Sequence, residues 1–196
     1  MADGLNKQFM RNPAVFLQTH TLMVNPQAYG AQAVAGGQAS IDLVMADKTT
    51  NPKFVRLESY NLRQHSWGSE AILAYYLPAI VDNYATQQLG NARQYMFTPD
   101  LSGCLFAAYG ADANNLTVEH VNVRTANAAA GLIANRAAAA LNGGFAFVRI
   151  LAPAAIPGAG PPQVVTYASG ANVVGVRGAG GWTFIYRADQ LPVGQL

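Results

Sequence analysis

Short segments rich in β-branched and aromatic residues recur along the whole chain, separated by turns that contain Gly, Pro or Asn. Such spacing is typical of domains built from many short strands. The segments predicted as strands are Ala14–Val24, Ser40–Met45, Lys53–Tyr60, Ala71–Pro78, Arg93–Thr98, Cys104–Tyr109, Leu116–Val123, Phe145–Leu151, Val164–Tyr167, Val173–Arg177 and Trp182–Arg187. The first of them is one strand or two joined by a bend, and the alanines of Ala71–Pro78 would also permit a helix. The pattern predicts an α+β fold: a β-sandwich of largely antiparallel or mixed sheets with a flanking helix and long loops.

One segment has a clear helical pattern. Thr125 to Leu141 is rich in alanine, begins with a residue suited to an N-cap and is followed by Asn142-Gly143-Gly144, which predicts its end. Residues 1–13 could add a short amphipathic helix that ends before Pro13. Asp82–Ala92 is predicted as a polar connection, and the Pro- and Gly-rich stretch Ala152–Pro162 as a loop. No repeat or linker interrupts the chain, so we predict a single domain over residues 1–196.

Composition excludes several classes of function. Apolar residues make up 51% of the chain and charged residues 11%, against about a quarter in average proteins, which excludes a disordered chain. The basic residues are scattered and the net charge is +2, so no nucleic-acid partner is expected. The longest apolar run, Ala71–Val81, contains Pro78 and is too short to cross a bilayer as a helix. The first residues lack the apolar core of a cleavable signal peptide.

Cys104 is the only cysteine in the chain, which excludes an internal disulfide and a zinc site made of several thiolates. Three histidines without clustered carboxylates predict no metal site, and no cofactor is expected. A lone cysteine is commonly a small buried apolar residue, and that interpretation stays open. Against it, Cys104 begins a predicted strand directly after Ser102-Gly103. A glycine there lets a substrate approach the main chain, and nearby amides could stabilise an oxyanion.

His120 is the nearest histidine downstream. Alternation along its predicted strand places it on the same face as Leu116, Val118 and Asn122. If the two strands form a hairpin centred on Asp112, Cys104 and His120 become direct cross-strand partners, with Cβ atoms roughly 5 Å apart. An imidazole there would lower the pKa of the thiol and act as its base.

A Cys–His pair normally needs a third group to hold the ring. By position, the candidates are Thr98, Asn122 and Glu119. A regular strand directs Glu119 to the face opposite His120, so Glu119 ranks last among the three.

The segment Phe97–Cys104, followed by a short apolar strand, a glycine-containing loop and His120, resembles the active-site segment of a family of glutamine deamidase toxins. That family comprises the Burkholderia lethal factor and the catalytic domains of the cytotoxic necrotizing factors. Its marker is Leu-Ser-Gly-Cys with a threonine six residues before the cysteine and a histidine downstream. Here the marker corresponds to Leu101-Ser102-Gly103-Cys104, Thr98 and His120.

The resemblance implies a β-sandwich with Cys104, His120 and Thr98 as catalytic residues and Leu101, Ser102 and Gly103 around the oxyanion. It implies deamidation of a glutamine on a host protein, which in that family is a translation-initiation helicase or a small GTPase. The chain would then be a secreted effector that acts in the target-cell cytoplasm without a cleavable signal peptide. Otherwise it would be a protein of the bacterial cytoplasm.

Three other functions stay open. A transglutaminase would use the same site with an amine in place of water. A non-enzymatic β-sandwich for binding or assembly fits the low charge and the many Asn and Gln residues. A papain-like protease is disfavoured, because such enzymes place the cysteine at a helix N-terminus, whereas Cys104 leads a strand.

Overall fold

The computed structural model describes residues 3–24, 37–45, 54–61, 71–124, 126–157, 159, 163–188 and 192–196. These residues form three helices and thirteen strands. The helices are α1 (Asp3–Arg11), α2 (Pro13–Thr19) and α3 (Ala126–Asn142). The strands are β1 (Thr21–Val24), β2 (Gly37–Met45), β3 (Phe54–Asn61), β4 (Ile72–Tyr76), β5 (Asn83–Leu89), β6 (Tyr95–Phe97), β7 (Leu105–Asp112), β8 (Asn115–Asn122), β9 (Phe147–Ala152), β10 (Val164–Thr166), β11 (Ala171–Gly178), β12 (Gly181–Ala188) and β13 (Gly194–Gln195).

The strands form two sheets, as the predicted α+β sandwich requires. The larger sheet has eight strands in the order β1-β3-β2-β4-β6-β11-β12-β13, and the smaller has five in the order β10-β9-β7-β8-β5. Most neighbours are antiparallel, while the pairs β1–β3, β4–β6 and β9–β10 are parallel. The sheets are therefore mixed but largely antiparallel.

The helices and sheets form layers, which are held together by three buried apolar clusters. The first lies between the sheets and joins Met96 and Phe184 of the larger sheet to Phe106 and Val118 of the smaller one. The second packs α1 and α2 on the outer face of the larger sheet, and the third packs α3 on the outer face of the smaller sheet. Successive residues of β7 belong in turn to the first and the third cluster, because successive side chains of a strand point to opposite faces.

The predicted strand Ala14–Val24 is wrong over its first half, which forms α2. The Asn12 side chain accepts a hydrogen bond from the backbone N–H of Val15 at 3.1 Å, and Pro13 occupies the first turn. These are strong helix-start signals. Phe16 and Leu17 are then buried in the cluster under the larger sheet. Capping and burial therefore override the β-propensity of the segment.

The prediction of a polar connection at Asp82–Ala92 is also wrong, since Asn83–Leu89 forms β5 and pairs antiparallel with β8. Its polar side chains face solvent while Ala85 and Leu89 are buried between the sheets. β5 lies at the edge of the smaller sheet, so one apolar face made of these two side chains is enough to hold it. The helix predicted from Thr125 is confirmed as α3, although Thr125 itself lies outside the described residues. Within the described ranges, no helix is long and apolar enough to cross a membrane.

Candidate active site

The Leu101–Cys104 segment crosses from one sheet to the other. Leu101 forms an antiparallel bridge with Ala171 of β11, with backbone bonds of 2.7 and 2.9 Å, and so belongs to the larger sheet. Cys104 directly precedes β7 of the smaller sheet. Between them Gly103 has a φ of +76°, in the left-handed region that other residues rarely adopt. Ser102 and Gly103 are exposed, whereas Leu101 and Cys104 are buried. The glycine thus permits the turn that delivers the thiol to the end of the smaller sheet.

The backbone around Cys104 offers both a donor site and an anchor. Among the described residues, no acceptor is bonded to the backbone N–H groups of Gly103 and Cys104. The carbonyl oxygen of Cys104 accepts a 2.6 Å hydrogen bond from the buried hydroxyl of Tyr167. Tyr167 was missed as a site residue, because a tyrosine that ends a predicted strand carries no signal of a backbone contact so far away in the sequence.

His120 lies on β8, but its predicted cross-strand pairing with Cys104 is wrong. The register pairs His120 with Phe106 and Val121 with Leu105, so Asn122 is the residue that comes opposite Cys104. The connection is a tight turn at Ala113-Asn114, and the register shifts between Gly110 and Asp112. A displacement of two residues preserves the side-chain face. Cys104 and His120 therefore share one face as diagonal neighbours, for which about 7–8 Å between backbones is typical.

Thr98 reaches His120 from the opposite sheet. Thr98 directly follows β6, and its Oγ1 lies 2.7 Å from Nδ1 of His120 in a buried hydrogen bond. The other ring nitrogen, Nε2, is buried and has no hydrogen-bond partner among the described residues. The structure thus brings Thr98 and His120 into contact and leaves one imidazole nitrogen available. An unpaired polar atom in a protein interior is unusual.

The thiol itself contacts Asn122 and Ser102. Sγ donates to Oδ1 of Asn122 at 3.4 Å and more weakly to the backbone oxygen of Ser102 at 3.7 Å. No hydrogen bond joins it to the imidazole in the described structure. Asn122 was a candidate for holding the ring, but it lies against the sulfur, and Thr98 is the candidate that holds the ring.

Burial keeps the Cys104 thiol and the His120 imidazole neutral. Desolvation lowers the pKa of His120 to about 4, and it also raises the pKa of the Cys104 thiol above its ordinary value. The expected lowering of the thiol pKa by the imidazole is therefore not found. Two charges near the sulfur act in opposite directions: Asp100 raises the thiol pKa and Arg124 lowers it. Burial also raises the pKa of Asp100. The site thus rests as a thiol beside a neutral imidazole.

Glu119 faces away from the site, as predicted from alternation. Its buried carboxylate accepts hydrogen bonds from Nε and Nη2 of Arg136 on α3, the latter at 2.8 Å, and from the Tyr109 hydroxyl at 3.1 Å. Arg136 also lies over the ring of Tyr84, 4.1 Å from its centroid. This cluster fixes α3 to the back of the strand that carries His120. In the described ranges, no three His, Cys, Asp or Glu residues are grouped to hold a metal ion.

Comparison with known proteins gives little beyond a distant structural likeness. No protein-family model and no curated protein match the sequence. Among solved structures, the chain is similar to the C-terminal domain of CNFy, a cytotoxic necrotizing factor from Yersinia pseudotuberculosis. The TM-score is 0.43 and the identity 8%, over 82% of this chain and 88% of that one. The more specific resemblance to the lethal factor stays a prediction.

Proposed function

We propose that the chain is a cysteine-dependent deamidase that converts a glutamine of a host protein to glutamate. The observation that carries this proposal is the buried bond between Thr98 and Nδ1 of His120, which leaves Nε2 unpartnered on the face that His120 shares with Cys104. When Nδ1–H donates to Thr98, the lone pair of Nε2 is free to accept a proton. That is the tautomer a general base needs. The Leu-Ser-Gly-Cys motif with Thr98 and His120 supports the choice of a glutamine carboxamide as substrate.

The proposed reaction has two halves. Nε2 of His120 takes the thiol proton as Sγ of Cys104 attacks the carboxamide carbon, and the free N–H groups of Gly103 and Cys104 stabilise the tetrahedral oxyanion. The C–N bond then breaks, and the imidazolium gives its proton to the departing ammonia. In the second half, His120 takes a proton from water and the hydroxide adds to the thioester. The C–S bond then breaks, the imidazolium returns its proton to the departing sulfur to restore the thiol, and the released acid ionises to glutamate. An amine in place of water would give the transglutaminase product.

A non-enzymatic binding module is the second candidate, and one observation favours it. Cys104 and His120 are 4% and 0% exposed, and Cys104 is part of the apolar cluster between the sheets. Burial of this kind is usual for a cysteine that only fills space. The unpartnered nitrogen of His120 argues the other way, because packing alone gives no reason to bury an imidazole with one nitrogen unsatisfied.

The decisive experiment compares the wild-type chain with Cys104→Ala and His120→Ala in a lysate of eukaryotic cells. Peptide mass spectrometry before and after incubation identifies glutamines converted to glutamate, and added methylamine reveals any transglutamination. We expect conversion by the wild type and none by either variant. His20→Ala is the matched control, since His20 lies at the end of α2 away from the thiol, and it should retain full activity. Conversion by Cys104→Ala at the wild-type rate, or no conversion by any of the proteins, would contradict the proposal.

Thr98→Val tests the support of the imidazole separately. Valine keeps the shape of threonine but removes the hydroxyl, so Nδ1 of His120 loses its partner inside the protein. We expect the free energy of unfolding to fall by about 1–3 kcal/mol and kcat to fall at least about tenfold, with little change in KM. Thr117→Val, on the same strand as His120 but bonded only to the Gln88 side chain, is the control. Equal effects of the two substitutions would exclude a particular role for Thr98.

A further inference from the structure

The Asn122 side chain is the neutral group that touches the reactive sulfur. The β7–β8 register brings it opposite Cys104, and its Oδ1 accepts the S–H hydrogen bond at 3.4 Å. Both side chains are buried. A carbonyl oxygen suits a thiol, which has a proton to donate, but it repels a thiolate, which can only accept. The contact seen in the resting site must therefore change when the sulfur ionises.

The backbone at Ser102 and Val123 hydrogen-bonds to the sulfur and lowers the pKa of the thiol, but the other side chains around the thiol give it no hydrogen-bond donor. His120 is the proton acceptor and leaves the step with a positive charge. Asp100 and Arg124 act on the sulfur through charge and oppose each other. Tyr167 donates to the carbonyl oxygen of Cys104 and not to its sulfur. Among the described side chains, Asn122 is thus the one that both touches Sγ and carries N–H groups.

We propose that Asn122 is a further catalytic residue, whose side-chain amide turns over to donate Nδ2–H to the Cys104 thiolate. The catalytic meaning of this inference rests on the proposed deamidase function. As the proton passes from Sγ to Nε2 of His120, a half-turn about the Cβ–Cγ bond of Asn122 replaces Oδ1 by Nδ2 at the sulfur. The N–H group then stabilises the negative charge until a lone pair of the sulfur forms the C–S bond. It does so again when the thioester breaks and the thiolate leaves.

The residue type at this position fits that task. A side-chain amide carries an acceptor and two donors on one planar group, so one rotation serves both states of the sulfur. An aspartate of the same shape would offer acceptors only and add a negative charge beside the thiolate. A leucine of similar size would offer neither. These two residues supply isosteric variants that separate hydrogen bonding from packing.

The test measures how the alkylation rate of Cys104 by iodoacetamide depends on pH, in the wild type, Asn122→Leu and Asn122→Asp. Cys104 is the only cysteine, so the mass of the intact protein reports its modification directly. We expect the midpoint of the pH profile to rise by about one unit in Asn122→Leu, which is about tenfold less thiolate at a given pH. Asn122→Asp should raise it further. The midpoint is compared instead of the absolute rate because a substitution could also change access to the sulfur.

Asn115→Leu, at the exposed far end of the same strand, is the matched control and should leave the midpoint unchanged. Asn122→Leu places an apolar side chain in an apolar layer, so this variant carries the test if Asn122→Asp fails to fold. A midpoint in Asn122→Leu that equals or lies below that of the wild type overturns the inference.

The same proteins separate this inference from the proposed function. If Asn122→Leu raises the midpoint while the wild type converts no glutamine, the deamidase proposal fails and the control of the thiol by Asn122 stands. If the wild type converts glutamine and the midpoint does not move, the function stands and the role of Asn122 is lost.

Discussion

Lowering the pH from 7 to 4 is expected to destabilise this protein by about 3 kcal/mol through His120 alone. The buried imidazole has a pKa of about 4 in the folded protein, against 6.5 for a free histidine. Between these values the unfolded chain binds a proton that the folded protein does not, so stability falls as the pH falls through this window. Above pH 6.5 both states are neutral and the contribution disappears. The cause is desolvation, and no acidic group of the described residues is bonded to the ring.

Urea unfolding of the wild type and His120→Gln at pH 7 and pH 4 measures this effect. Other groups also titrate in this range, but they are common to both proteins and cancel in the difference between the two pH dependences. We expect the wild type to lose about 3 kcal/mol more than the variant. His20→Gln, which removes a different histidine, should behave like the wild type. A wild type and a His120→Gln variant that lose stability in parallel would show that the ring is solvated.

Replacing Arg136 by leucine is expected to cost about 3–5 kcal/mol of the free energy of unfolding. The Glu119 carboxylate is only 1% exposed, while the Arg136 side chain is 25% exposed. Removal of the arginine therefore leaves a buried charge whose remaining partner is the Tyr109 hydroxyl. Burial and the neighbouring carboxylate raise the pKa of Tyr109 to about 12, so this hydroxyl stays protonated and supplies a hydrogen bond but no positive charge.

Chemical unfolding of three variants tests the ion pair. Arg149→Leu is the control, because Arg149 lies over the Phe147 ring and donates to the carbonyl oxygen of Val148. It should cost about 1 kcal/mol or less. The double substitution of Glu119 and Arg136 by leucine should recover most of the loss, since it removes both charges together. A small cost for Arg136→Leu alone would mean that water reaches Glu119.

The sequence predicted the strand faces of the site better than its register. Period-two alternation correctly placed His120 with Asn122 and turned Glu119 away, because side-chain direction follows from strand geometry alone. The exact partner of Cys104 depends on the shape of the 110–115 turn. A tight turn at Ala113-Asn114 with a shift near Gly110 moved the pairing by two residues. Such a shift keeps the face but replaces a direct neighbour by a diagonal one.

Local sequence patterns could not predict contacts between segments that are far apart in the sequence. The bond from Tyr167 to Cys104, the pairing of β5 with β8 and the ion pair between Glu119 and α3 each join parts of the chain that only the complete fold brings together. The error at α2 has a different origin. Asn12-Pro13 is a helix-start signal in the sequence itself, and it outweighs the β-propensity of the residues after it.

The hydrogen bond between Thr98 and His120 can form only late in folding, so catalytic activity is expected to appear late as well. Thr98 follows β6, whose neighbours in the larger sheet are β4 and the much later β11, and His120 belongs to the smaller sheet. The ring can be held only after segments far apart in the sequence have paired and the two sheets have met. Because such non-local contacts form slowly, we expect the thiol to remain unassisted in any intermediate with separated sheets. Recovery of activity during refolding would then lag behind recovery of strand content.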